Sequence, residues 1–223
     1  MDIRYLQDIA KLLGKFQQVF VPADEHDWQR GLSVQNGNLA TRSLPDEMLL
    51  DLSAAEVRYR DRRWPLATTP AQQFAQDLQA FADGMELPVL SNAPLDMVVL
   101  GPTKAALQML TALFEQLVPQ LNEGLVSPVL LYPHHFDLSL VWFPSNDQQQ
   151  IGLGFSFGDE HIAQPYVYIT QYPAADGQLQ LPAPARLQTE GFEGVVIDYV
   201  ELQAAADPLQ MIHTIMMQMR TRS

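Results

Sequence analysis

The chain of 223 residues contains no cysteine, which excludes disulfide bonds, thiolate zinc sites and cysteine nucleophiles. A cytoplasmic location agrees with that composition. The N-terminus lacks the basic-then-apolar order of a signal peptide, and no run approaches the ~18 apolar residues of a membrane span. We therefore expect a soluble, cytoplasmic protein without a membrane partner.

Basic residues are also scarce. The chain contains 13 Lys and Arg and 26 Asp and Glu, which gives a net charge of −13. Binding of phosphate groups depends on clustered Lys and Arg, so we expect neither a nucleic acid nor an anionic membrane surface as a partner. The acidity of the chain favours solubility.

Apolar residues and prolines are plentiful by comparison. The apolar fraction of 47% is sufficient for a packed core, and 16 prolines interrupt the chain often. Frequent interruption favours short strands and loops over a helical bundle. The length fits one large domain or two fused half-domains.

The strongest strand pattern lies between Ser127 and Tyr172. Side chains of opposite character alternate over residues 136–143, 152–157 and 166–172. An alternation with period two places successive side chains on opposite faces of a sheet. The pattern predicts three antiparallel strands, the first two joined by a turn centred near Asp147.

Helical spacing of apolar residues occurs in four segments, which begin after Asp2, Thr69, Pro102 and Asp207. Asp2, Thr69 and Asp207 are the predicted N-caps, and the last two are followed by proline. Short strand-like pieces separated by turn residues fill residues 32–59. The sequence therefore predicts an α+β fold, with an antiparallel sheet or pair of sheets packed against about four helices.

The order helix, strands, capped helix occurs twice along the chain. An internal duplication of one α-β-α unit explains this order, and so does a coincidence of common elements. On the first interpretation the halves are residues 1–86 and 103–223, joined by a connecting segment at 87–102. We expect the two halves to form one compact unit.

Short motifs occur in a defined order over most of the chain. They are Gly31-Leu32, Thr41-Arg42-Ser43-Leu44-Pro45, Ser127-Pro128-Val129 and Phe136-Asp137-Leu138. In order and spacing they resemble a bacterial family known only as domain of unknown function 5996. The family's Ser-His-Glu segment corresponds to Asp159-Glu160-His161, with His and Glu reversed, and its Gly-Phe-Trp-Pro-Gly segment is missing. The resemblance implies the fold and a bacterial origin but no activity, because the family has none assigned.

Imidazole and carboxylate groups gather where the predicted strands end. Hairpin pairing about Asp147 places residue 136 opposite 158 and residue 134 opposite 160. Such groups suit Zn²⁺, Mn²⁺ or Fe²⁺, so a divalent metal is a possible cofactor. The predicted metal ligands are His134, His135 and His161.

The same end of the sheet also suits acid/base chemistry without a metal. The predicted catalytic residues are His135, Asp137, Glu160 and His161. A purely structural explanation of these polar residues is an alternative. Polar residues commonly gather where strands leave a core, and Asp137 would then accept hydrogen bonds from local backbone N–H groups.

Tyr166, Tyr168 and Tyr172 share one face of the third strand, and Trp142 is predicted to lie nearby. This aromatic stripe is predicted to form the floor of a small-ligand pocket. A half-buried core or a subunit contact in a homodimer explains the stripe equally well.

The leading functional prediction is a non-catalytic protein that binds a small molecule or a protein partner through its aromatic sheet face. The alternative is a metal-assisted or acid/base enzyme, similar to a hydrolase, that uses the His, Asp and Glu side chains at the sheet end.

Overall fold

The structure is a computed structural model that describes residues 2–21, 28–91, 93–144, 149–174 and 179–221. Five α-helices and two antiparallel sheets occur in this part of the chain and confirm the α+β fold. The chain divides into two compact units. Unit 1 consists of residues 1–111 and 130–136, and unit 2 of residues 112–129 and 137–223.

The elements follow one another in chain order as α1 (Arg4–Phe20), β1 (Ser33–Gln35), β2 (Asn38–Ala40), β3 (Leu49–Asp51), β4 (Glu56–Tyr59), β5 (Arg62–Pro65), α2 (Ala71–Gln79), α3 (Leu100–Leu117), β6 (Leu125–Val126), β7 (Leu130–Tyr132), β8 (Asp137–Phe143), β9 (Gln150–Ser156), β10 (Tyr166–Tyr172), β11 (Arg186–Gln188), β12 (Gly194–Asp198), α4 (Tyr199–Ala204) and α5 (Pro208–Arg220). Short 3₁₀ turns occupy Trp28–Arg30, Met97–Val99 and Val118–Gln120.

Unit 1 contains a meander of five strands in the order β1-β2-β3-β4-β5. Asn36 and Gly37 join the first two strands with positive φ angles of 51° and 78°, as a tight hairpin requires. Aromatic rings connect the helices to this sheet. The ring centroid of Tyr59 in β4 lies 5.2 Å from that of Phe16 in α1 and 5.7 Å from that of Phe81, which follows α2.

Unit 1 also includes Leu130–Phe136, which is distant in sequence from its other residues. Leu131 exchanges two backbone hydrogen bonds with Leu32, at 2.8 and 2.9 Å. The observed division therefore differs from the predicted halves 1–86 and 103–223, because this long-range pairing has no local signal in the sequence. The α3 helix spans the boundary between residues 111 and 112.

Unit 2 contains a sheet in which the strands follow the order β11-β12-β10-β9-β8-β6. The three predicted strands are confirmed as β8, β9 and β10, which pair antiparallel. One face of the sheet consists mainly of buried apolar side chains. They include Leu138, Leu140, Trp142, Leu153, Phe155, Val167, Ile169, Val195 and Ile197. We refer to it as the inner face.

The hairpin register of β8 and β9 differs by one residue from the prediction. Leu138 pairs with Phe155, and one step further along the same register Asp137 lies opposite Ser156. The predicted turn at Asp147 lies outside the described residues. A shift of one residue reverses the face on which every paired side chain lies, so this difference changes the composition of the site.

The N-cap predictions have different outcomes. Asp207 is confirmed, because its Oδ1 atom accepts a hydrogen bond from Gln210 N at 2.9 Å. Thr69 is wrong, because Pro70 occupies the N-cap position of α2 without a side-chain hydrogen bond. Ile3 occupies the N-cap position of α1, but Oδ1 of Asp2 accepts a hydrogen bond from Arg4 N at 3.1 Å, as predicted for a capping side chain.

One described segment, residues 97–120, has the length and mean hydropathy, 1.4, of a membrane span. Its most apolar part is 44% buried, and core helices of soluble proteins meet the same criteria of length and composition.

Candidate functional site

The face of the unit 2 sheet opposite the inner face has an unusual composition. Hydroxyl, carboxyl and aromatic groups project from β8, β9 and β10, and the strand register brings them together. We define the outer-face cluster as Asp137, Ser139, Gly154, Ser156, Tyr166 and Tyr168. Ser139 pairs with Gly154, and Gly154 pairs with Tyr168.

Gly154 allows the ring of Tyr168 to lie across the middle strand. A Cβ atom at Gly154 would lie 2.2 Å from Cζ of Tyr168, a distance at which real atoms clash. Gly152 is similar, because its Cβ would lie 2.7 Å from Oγ1 of Thr170. Glycine within a strand permits such close approach by a neighbouring side chain. The ring can therefore extend from β10 across β9 toward β8.

The Tyr168 hydroxyl reaches Asp137 and donates a hydrogen bond to its Oδ2 atom at 3.2 Å. Oδ1 of Asp137 is shielded from solvent and has no hydrogen-bond partner among the described residues. Burial raises the pKa of Asp137 to about 7, and the opposing effects of the Tyr168 and Ser156 hydroxyls are smaller. The carboxyl group therefore keeps its proton to a higher pH than an aspartate in water does.

Asp159 holds the loop between β9 and β10 beside the cluster. Its Oδ1 atom accepts hydrogen bonds from the backbone N–H groups of His161 at 2.7 Å and Ile162 at 2.8 Å, and its Oδ2 atom accepts one from the Tyr166 hydroxyl. Burial raises the pKa of Asp159, but these hydrogen bonds outweigh it and the pKa is lowered. The loop is thus anchored to the sheet through a charged carboxylate.

Phe192 packs beside the two tyrosines of the cluster. Its ring is stacked with that of Tyr166, with centroids 6.2 Å apart and an interplanar angle of 10°. Its centroid lies 5.9 Å from that of Tyr168 in an edge arrangement. Phe192 and Tyr168 are only partly buried, so part of this aromatic surface is open to solvent.

The predicted ligand-binding residues occupy three different environments. Tyr166 and Tyr168 belong to the outer-face cluster, and Tyr172 lies at the end of the same strand with 69% of its surface exposed. Trp142 requires a correction, because it lies on the inner face, is fully buried and donates from Nε1 to the carbonyl oxygen of Glu123 at 2.6 Å. Its position, five residues from Asp137 on a strand, places it on the opposite face.

His134 and His135 lie in unit 1, in an exposed turn. Their ring centroids are 4.5 Å apart, and the carbonyl oxygen of His134 accepts a hydrogen bond from Gln7 at 3.1 Å. Burial lowers the pKa of His135, and the neighbouring charges of His134 and Lys11 lower it further. A neutral imidazole is therefore favoured at this position.

Glu160 and His161 lie in unit 2 with Asp137. Nε2 of His161 is 3.5 Å from Oε1 of Glu160, whose side chain is 87% exposed. The imidazole also lies against Gly191, where an added Cβ would be 2.2 Å from Cδ2 of His161. Among the residues that the structure describes, no group of three or more His, Asp or Glu side chains is arranged to hold a metal ion.

Sequence reasoning placed Asp159 at this end of the sheet but did not select three members of the site and its surroundings, namely Ser139, Ser156 and Phe192. Ser139 shares the face of Asp137 two residues along β8, Ser156 lies opposite Asp137 only in the observed register, and Phe192 approaches from a loop. One signal was available, because two glycines alternate in β9 opposite the aromatic strand. Such a pattern indicates close approach of a neighbour.

Comparison of the chain with protein-family models, with curated proteins and with solved structures gives no match. A functional argument for this protein therefore depends on the geometry and chemistry of its own residues.

Proposed function

We propose that unit 2 is a small-ligand binding module and that the outer-face cluster is its binding site. The observation that carries this proposal is the Asp137 carboxyl group, whose Oδ1 atom is buried without a hydrogen-bond partner among the described residues and whose Oδ2 atom accepts from the side-chain hydroxyl of Tyr168. A buried polar atom without a partner costs about 1–3 kcal/mol. Such atoms are rare in folded proteins, and a partner from outside the chain is one explanation for them.

The chemistry around Asp137 defines the class of ligand. A hydroxyl, amide or ammonium group on the ligand would donate a hydrogen bond to Oδ1. The rings of Tyr168 and Phe192, which are only partly buried, offer an apolar surface to the rest of the molecule. The expected ligand therefore combines one hydrogen-bond donor with a flat or apolar body, as is typical of small-molecule sites.

The polar side chains of the cluster are already held in place by one another. Tyr168 donates to Asp137, and Tyr166 donates to Asp159. Side chains that are ordered before binding lose little conformational entropy when the ligand arrives. This preorganisation supports binding.

A thermal-shift screen with small aromatic amines, amides and alcohols tests the proposal. A compound present at about 100 times its Kd should stabilise the wild-type protein by about 2.7 kcal/mol. Tyr168→Ala removes the apolar floor, and Asp137→Asn changes the hydrogen-bonding capacity of the anchor, so both should reduce the stabilisation. Tyr172→Ala is the matched control, because Tyr172 lies on the same strand but is 69% exposed.

The control variant should retain the full response to the same compounds. Equal stabilisation of wild type and Tyr168→Ala would place the binding elsewhere. A screen in which no compound stabilises the wild-type protein would also count against the proposal.

Acid/base catalysis is the second candidate function, and the pKa of Asp137 favours it. A carboxyl group with a pKa of about 7 is suited to proton transfer at neutral pH. Chromogenic esters and phosphoesters are suitable substrates for a first test. Activity that falls about 100-fold in Asp137→Asn would favour the enzyme over the binding module, because loss of a general acid or base has this magnitude.

A further inference from the structure

Unit 2 contains a concave surface that shares no lining residue with the outer-face cluster. It is a cleft of about 450 Å³. One wall is the segment 182–184, which precedes β11, and the other is the connection 204–207 between α4 and α5. The volume is in the range of sites that hold ligands in proteins.

The walls of this cleft consist mainly of small apolar side chains. Alanine and proline supply most of the surface, and Met211 of α5 adds a larger and adaptable side chain. Two carboxylates, those of Glu201 and Asp207, complete the lining. The cleft thus combines an apolar surface with negative charge and contains no cationic side chain in its described lining.

The charge of unit 2 reinforces this local pattern. Its sequence contains twelve Asp and Glu, three Arg and no Lys, which is a net charge of −9, whereas unit 1 has fourteen acidic and ten basic residues and a net charge of −4. Two of the three arginines are in ion pairs, Arg186 with Asp198 at 2.8 Å and Arg220 with Glu123, and Arg222 lies outside the described residues. A partner that approaches this unit meets a negative field.

We propose that this cleft binds a peptide segment of a partner protein in which apolar residues are flanked by Lys or Arg. Charge complementarity selects this occupant, because basic side chains suit Glu201 and Asp207 while an apolar side chain suits the alanine and proline walls. A nucleic acid or a second copy of this acidic chain would be repelled instead. The proposal involves other residues than the outer-face cluster and is independent of the proposed function.

Fluorescence anisotropy with a labelled peptide of alternating leucine and lysine tests this inference on the full chain. Peptides of leucine with glutamate and of serine with lysine serve as probes for charge and for apolar contact. Only the peptide that has both leucine and lysine should bind. Glu201→Gln should weaken its binding about fivefold, the upper range for one exposed charge.

The matched control is Glu193→Gln, which removes an equal charge from unit 2 outside the cleft and should change the Kd less than about twofold. A second variant, Ala205→Arg, places bulk and positive charge in the cleft and should abolish binding. Asp137→Asn should leave peptide binding unchanged, so that failure of this inference and failure of the proposed ligand site give different results.

Three results would overturn the inference. They are absence of binding to the leucine and lysine peptide, equal binding of the serine and lysine peptide, and equal weakening by Glu201→Gln and Glu193→Gln. The last two would show attraction to the general negative charge of unit 2 without use of the cleft.

Discussion

Each unit contains an aspartate with one buried oxygen that lacks a partner among the described residues, and the two aspartates differ in what the other oxygen contacts. In unit 1, Asp8 is 1% exposed, and its Oδ2 atom accepts hydrogen bonds from the backbone N–H of Ser91 at 2.8 Å and from its hydroxyl at 2.7 Å. In unit 2, Oδ2 of Asp137 accepts from the side-chain hydroxyl of Tyr168 at 3.2 Å. Oδ1 of both residues is buried without a partner among the described residues.

The partners indicate different roles for the two carboxylates. A backbone N–H cannot move without moving the chain, so Asp8 fixes a distant segment against α1 and is structural. A tyrosine hydroxyl can rotate and exchange partners, so Asp137 could redistribute its hydrogen bonds as the proposed ligand site requires. Both aspartates have a buried oxygen without a partner among the described residues, so this feature does not by itself identify a site.

The largest expected effect is a pH dependence of the free energy of unfolding that arises from the raised pKa of Asp137. Because the folded-state pKa is raised from 3.8 to about 7, the folded protein holds a proton in this window that the unfolded chain has released. Protonation of Asp137 therefore stabilises the folded state. This stabilisation is present in full below the pKa that Asp137 has in the unfolded chain and is lost as the pH rises through about 7. The free energy of unfolding decreases by at most about 4 kcal/mol over this range.

Urea unfolding of wild type and Asp137→Asn at several values between about pH 4 and about pH 8 measures this contribution. The stability of wild type relative to the variant should decrease across the window and remain constant above it. If the difference in stability between wild type and Asp137→Asn does not change with pH, the pKa of Asp137 is not raised. Asp137 would then not differ from Asp8 in this respect.

The second effect concerns Asp8. Asp8→Ala should reduce the free energy of unfolding by about 3 kcal/mol, because the acceptor of two hydrogen bonds is lost from a buried position. Urea unfolding measures the loss, and amide hydrogen exchange at Ser91 should become faster. Asp83→Ala, at an exposed position of the same unit, is the control and should change stability by less than about 0.5 kcal/mol. Equal effects of the two substitutions would contradict a structural role.

The smallest effect is expected at Gly154. Gly154→Ala should reduce the free energy of unfolding by about 2 kcal/mol, because the added methyl group displaces the Tyr168 ring from its position across β9. Gly101→Ala is the control, since nothing lies within 4 Å of its added Cβ in α3, and alanine there should be neutral or stabilising by up to about 1 kcal/mol. Unaltered stability of Gly154→Ala would mean that the ring moves freely and that the cluster is not preorganised.

Periodicity was sufficient to predict most of the elements. The 3.6-residue pattern marked α1 and α5, and the alternation with period two marked β8, β9 and β10. Helix α4 was missed, because Tyr199–Ala204 follows β12 directly and six residues are too few for a helical pattern. Membership of Leu130–Phe136 in unit 1 depends on pairing with residues about 100 positions earlier, which local pattern cannot reveal.

The site was predicted in part. Asp137, Tyr166 and Tyr168 were recognised as candidates from their residue types and their strand positions. The predicted register of β8 against β9 was wrong, because a turn position that is in error by half a residue shifts the register by one and exchanges the faces. The placement of Trp142 on the face of the tyrosines was also wrong. Trp142 lies five residues from Asp137 on β8, and an odd separation along a strand places two side chains on opposite faces.

The path of the chain through the two units limits how the protein can be made and divided. The polypeptide passes from one unit to the other three times, at residues 111–112, 129–130 and 136–137. Neither unit is a continuous stretch, so no single cleavage or stop codon separates them. During synthesis, the amino-terminal unit cannot be completed until residue 136 has left the ribosome, by which time the first part of the other unit has already emerged.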